Sequence, residues 1–151
     1  MLRAQISDRL KVAMKARDTI AVSTLRLILA ALKDRDIAAR TEGHDAGVGD
    51  AEILAMLQTM IRQRHDSVAA YEKGGRQELA DREAKEIAIL QTFLPRQMDE
   101  AEMRQAIAVL IAEIGSDGLK DMGRTMTALR QTYAGQMDFG KASAIVRERL
   151  A

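Results

Sequence analysis

The sequence predicts an all-α protein: an N-terminal domain of four long helices over residues 1–95, then a small three-helix bundle over residues 96–151. Three observations carry this. Apolar residues recur three and four positions apart almost throughout, the spacing that gathers them on one face of a helix. No stretch of useful length alternates apolar and polar residues as a half-buried strand does. The only proline, Pro95, falls between two sets of capped helical patterns. The residue before a proline is pushed out of helical geometry, so this is the natural boundary.

The elements follow in order. Leu2, Ile6, Leu10 and Met14 lie four apart and predict the stripe of a first helix. Asp18 is the expected N-cap of the second, because its carboxylate can accept from exposed amides of the next turn. From Ile20 to Arg40 apolar residues occur on most sides, which predicts the most buried helix of its domain. Residues 43–49, with three glycines, read as a loop. Asp50 is the expected cap of a third helix carrying Ile53, Leu57, Met60, Ile61 and Val68, and Gly74-Gly75 ends it. A fourth runs from about Arg76 towards Pro95. Asp99 and Glu102 form an expected capping box for a fifth with Met103, Ile107, Leu110 and Ile114 inward. After a turn at Gly115–Gly118, a sixth helix places Met122, Met126, Leu129 and Tyr133 on one face. Asp138 caps a seventh, with Phe139, Ala142, Ile145, Val146 and Leu150 inward.

Composition bounds the rest. The chain has 151 residues, 47% hydrophobic and 30% charged, so it is expected to fold as a soluble cytoplasmic protein. Aromatics make up 3%, which leaves the core to aliphatic residues and nine methionines. There is no cysteine, hence no thiol nucleophile or disulfide. The longest apolar run, Leu27–Leu32, is far too short to span a bilayer, and no membrane partner is expected. The net charge of +1 hides an uneven distribution: +5 over residues 1–40, −4 over 41–95, −3 over 96–118 and +3 over 119–151.

The stretch "KDMGRTMTALRQTYAGQMDFGKASAIVRERL" combines helical spacing with Gly123, Gly135 and Gly140, and with regularly placed cations. Glycine inside a helix costs about 1 kcal/mol relative to alanine. One reading is that Gly123 and Gly140 let helices pack while the cations are solvated. The other is a phosphate-facing surface formed by Gly123, Arg124, Arg130, Gly140, Lys141 and Arg147. Helix N-terminal amides attract phosphate, and Lys141 adds charge beside them.

Taken together, "AMKARD", "STLRLILAALKDRD", "GGRQELADREAKEIAILQTFLPRQM", "KDMGRTM" and "GQMDFGKASAIV" resemble the YqeY family from about residue 6 to the end. That family is similar to the C-terminal tail of the B subunit of the tRNA-dependent amidotransferase. The resemblance implies an all-helical protein whose three-helix C-terminal domain contacts tRNA while other parts of such an enzyme do the chemistry. The nearest matches are Gly123, Met126, Asp138, Lys141 and Val146. One departure is Thr127, where the related tail often has a lysine.

Chemistry at the residue level points away from an isolated enzyme. A glutamine-dependent carbon–nitrogen ligase needs an activated nucleophile and a phosphate cradle. None of the five serines sits in a glycine-rich elbow, and "GHDAGVG" lacks the lysine and Ser/Thr of a P-loop. His44 and His65 have no further ligands at metal-binding spacing. Glu83 and Glu86, with Lys85, read as a solvated face rather than an acid–base pair. No catalytic residue, metal or cofactor is therefore expected. The expected function is a non-catalytic module binding tRNA or another structured RNA. A subunit or relative of a glutamine-dependent carbon–nitrogen ligase is the alternative, as is a helical adaptor for a protein partner.

Overall fold

The computed structural model describes residues 1–151 and contains seven α-helices and no strand. They are α1 (Leu2–Ala16), α2 (Thr19–Thr41), α3 (Asp50–Lys73), α4 (Gln77–Gln91), α5 (Glu100–Ile114), α6 (Met122–Thr132) and α7 (Phe139–Leu150), with a 3₁₀ turn at Leu119–Asp121 before α6. The chain divides into two compact units, Met1–Leu94 and Pro95–Ala151.

In the first unit the core is built from Ile6, Leu25, Ile28, Ile53, Met56, Leu57 and Leu90, all essentially removed from water. Arg17 ends α1 in the left-handed region (φ 57°), and the Asp18 carboxylate then accepts from the Ala21 amide at 3.1 Å to start α2. One expectation is corrected by packing. Met14 is 49% exposed, and Ala13 is buried instead. Helix α2 carries more buried residues than any other helix of this unit, as expected, with Leu25, Ile28 and Leu32 facing the core, while Leu27 and Ile37 on its other side are half exposed. Asp50 does not cap α3. Gly49 takes that position in extended geometry, and the Asp50 carboxylate instead accepts from the Leu2 amide (3.4 Å) and pairs with the N-terminal amine (3.8 Å).

Two polar clusters lock this unit. Arg3 forks onto buried Asp36 through two 2.5 Å bonds and also donates to the Val48 carbonyl at 2.7 Å. The Val48 amide donates back to Asp36 at 3.0 Å, which ties the loop before α3 onto α2. Gly47 sits at φ +82° against Asp36, and a Cβ there would collide with the carboxylate. Hydrogen bonding from Arg3, opposed by burial and reinforced by the Val48 amide, holds the Asp36 carboxyl down at about 2. The second cluster joins α3 to α4 and corrects the reading of a solvated carboxylate face. Glu86 is buried and bonded to Arg64 at 3.2 Å, with Arg82 at 3.5 Å. Glu83 Oε2 is enclosed without a hydrogen bond, 4.0 Å from Arg64. Desolvation, with the Glu86 charge second, raises the Glu83 carboxyl above its ordinary value.

The second unit packs α5, α6 and α7 around Ile107, Leu129, Met137, Ala142 and Val146. Asp99 and Glu102 make the capping box, the Glu102 amide donating to Asp99 at 2.8 Å and the Asp99 amide to Glu102 at 3.2 Å. Gly115, at φ +69°, supplies the left-handed turn that ends α5. Thr125 is fully buried and bridges elements, donating to the Asp121 carbonyl at 2.8 Å and accepting from Ser116 at 2.7 Å. No helix in either unit is long and apolar enough to cross a membrane.

Candidate RNA interface

The six residues singled out in the C-terminal stretch all lie in the second unit, and all are exposed. The structure gives them unequal roles. Arg124 is already engaged: Nη1 donates to the Ile114 carbonyl at 2.6 Å, Nη2 lies 3.4 Å from the Gly115 carbonyl, and Asp121 pairs with it at 3.4 Å. Its guanidinium therefore closes the C-terminal end of α5, where the orphan carbonyls and the helix dipole favour a cation. Arg130 leans over the Phe139 ring at 5.8 Å and makes no ion pair within the molecule. Arg147 and Lys141 make no side-chain bond within the molecule.

Lys141 faces a mixed field. It lines an open groove of about 520 Å³ between α5 and α7, together with Asp99, Glu100, Arg104, Asp138 and Glu148. Four carboxylates against two cations make that groove unfavourable for phosphate. The amides at the start of α7 are also occupied, because Asp138 Oδ1 accepts from Gly140 at 3.0 Å and from Lys141 at 3.1 Å. An anion there has to compete with a carboxylate already in place.

The glycines behave differently from the helix-packing reading. A Cβ on Gly123 meets nothing within 4 Å, and one on Gly140 meets only the Asp138 side chain at 3.2 Å. Neither glycine is required by contact with another helix. Helical spacing of four and three puts Gly123, Thr127 and Arg130 on one exposed face of α6, and Gly140, Ala144 and Arg147 on one exposed face of α7.

These two faces are copies of one pattern. Residues 121–130, "DMGRTMTALR", and residues 138–147, "DFGKASAIVR", match at Asp121/Asp138, Gly123/Gly140 and Arg130/Arg147, with an offset of 17. The inward positions also correspond, since Thr125 and Ala142 are buried, as are Leu129 and Val146. Composition and charge alone do not reveal this correspondence. Sliding the chain against itself does.

The groove that Lys141 lines holds no serine, threonine or cysteine. The geometry is that of a small helical module whose exposed glycines and cations lie on helix faces. Comparison with known proteins places it more narrowly. The family model for Yqey-like proteins matches residues 3–150, and the chain belongs to the YqeY family. Among curated proteins it is similar to the yeast proteins called "Altered inheritance of mitochondria protein 41, mitochondrial". It is 33% identical to that of Vanderwaltozyma polyspora over 56% of this chain and 44% of the relative. It is 32% identical to that of Kluyveromyces lactis over 60% of this chain and 46% of the relative, so the matched stretch spans less than half the length of each of these two relatives. The Eremothecium gossypii protein is 26% identical over 98% of this chain and 80% of its own length. These matches overturn the expectation of a cytoplasmic location, because the yeast relatives are named as mitochondrial.

Proposed function

We propose that this chain is a non-catalytic module that holds a structured RNA, with tRNA the leading candidate, through the repeated faces of α6 and α7. The observation that carries the reading is the pair of exposed glycine–cation faces: Gly123 with Arg130, and Gly140 with Arg147. Each glycine lacks an internal packing role and stands in the first turn of its helix, where its backbone is open to an outside ligand. Bare backbone on the same face as an arginine two turns further on suits close approach of a phosphate chain, with Gly123 the freer of the two because Asp138 already accepts from the Gly140 amide, and the arginine adds a planar donor set. Contacts of this kind position RNA without reading its sequence. Arg124 is assigned to closing α5, and Lys141 to the groove, rather than to RNA. The YqeY family membership supports this reading. We further propose that the two units fold independently, as a four-helix domain and a three-helix bundle.

The test is tRNA affinity of the full chain across a salt series. The variant Arg130→Glu/Arg147→Glu is expected to weaken binding and to flatten the log–log salt slope by roughly 0.7–0.9 per lost phosphate contact. Arg62→Glu, an exposed change on α3, is the control and is expected to leave both unchanged. Unaltered affinity and slope in the double variant, with circular dichroism intact, would sink the RNA reading of these faces.

A further inference from the structure

The uncovered side of α2 has an order that packing within the chain does not explain. Ser23, Leu27, Ala30, Asp34, Ile37 and Thr41 follow one another at spacings of four and three, with Leu27, Ala30 and Ile37 the apolar members of the row and Ser23, Asp34 and Thr41 the polar ones. The row points outward: Leu27 is 50% and Ile37 52% exposed, and Ala30, Asp34 and Thr41 are exposed too. Along one edge run Arg26, Lys33 and Arg40, each seven residues from the next and each exposed. Arg26 and Lys33 bond nothing in the molecule, while Arg40 Nε donates to the Asp45 carbonyl at 3.2 Å. Along the other edge Ala38 is small and exposed, while Ala31 packs partly against the core.

We propose that this face of α2 docks an amphipathic helix of a partner protein whose flank carries carboxylates opposite Arg26, Lys33 and Arg40. Leu27 and Ile37 supply two aliphatic knobs, and the basic edge sets the choice of partner, as flanking charges do in helix pairing. Each rival occupant fails on a residue. A second copy in antiparallel pairing brings the basic edge against itself, and in parallel pairing brings it against Ala31 and Ala38. A bilayer would have to take up Asp34 in the middle of the row, on a face with no aromatic anchor. An RNA backbone gains nothing from exposed Leu27 and Ile37. Asp34 then selects a partner with a donor at the facing position, which fixes register. The inference does not rest on the RNA reading, which concerns α6 and α7.

The experiment titrates the full chain against fluorescent designed helices of about 24 residues, with leucine along a heptad seam and either glutamate or lysine on the flanks. Three exposed ion pairs predict that the glutamate helix binds about tenfold tighter than the lysine helix. A peptide of the glutamate composition in scrambled order is expected not to bind. The variant Arg26→Glu/Lys33→Glu/Arg40→Glu is expected to reverse the preference. Leu27→Ser/Ile37→Ser is expected to abolish binding while helicity is retained, since both side chains are half exposed. Equal binding of the scrambled peptide, or unchanged binding by the Leu27→Ser/Ile37→Ser variant, would overturn the proposal. So would a charge-reversed variant that keeps its peptide preference but loses affinity for tRNA or for phosphatidylglycerol vesicles, and either loss would reassign the face.

Discussion

Asp36→Asn isolates the charge in the clasp that ties α1, α2 and the loop before α3 together. The amide keeps the size of the carboxylate and an oxygen for the Val48 N–H, which donates at 3.0 Å in the native chain. It loses the anion that receives both Arg3 nitrogens. The native carboxyl titrates at about 2 against an ordinary value of 3.8, and its side chain is only 10% exposed. A difference of that size corresponds to about 2 kcal/mol. Because the folded-state value is depressed, the stabilisation is fully present above the ordinary carboxylate range. It fades as pH falls from about 4 towards 2, where both states take up the proton. Urea unfolding followed at 222 nm should therefore show the variant less stable by about 2 kcal/mol at pH 7, with the gap closing towards pH 2. Hydrogen exchange at the Val48 amide, which the clasp holds, should accelerate in the same variant at neutral pH. A gap that stays constant from pH 7 to pH 2 would show that shape, not charge, is what Asp36 contributes.

Glu83→Gln tests the enclosed oxygen beside Arg64. Ionising Glu83 costs stability because its folded-state value is raised, so the substitution should raise the melting temperature, increasingly as pH climbs through and above the usual carboxylate range; thermal scans at pH 4 and pH 8 that show no difference in the gain would refute it. Trypsin should cut after Arg96, which is exposed at the start of the second compact unit, and residues 97–151 should remain helical, since Gln97 and Met98 still bond Gly135 and Gln136 within that fragment; a random-coil dichroism spectrum would refute independent folding.

Local signals were legible in the sequence because they act within a turn. Asp18, Asp99 with Glu102, and Asp138 each cap the helix expected of them, since the cap depends on residues three positions away. Asp50 failed the same rule because a distant group outbid the neighbouring amides: the start of α1, 48 residues earlier, takes its carboxylate. Glu86 departs from its expected exposure for a related reason, as its partner Arg64 stands on a different helix, 22 residues away. The candidate site repeats the lesson within one pattern. Arg124 and Lys141 hold equivalent places in the two copies, one residue after the glycine. One sits within reach of the end of α5 and bonds its carbonyls, and the other stands in a groove of carboxylates. Nothing in either copy distinguishes them. What distinguishes them is the element each helix start faces, a property of packing between helices and not of the charged residue itself. For Arg130 and Arg147 no such neighbour claims the guanidinium with an ion pair, and those are the positions where a ligand outside the chain has least to displace.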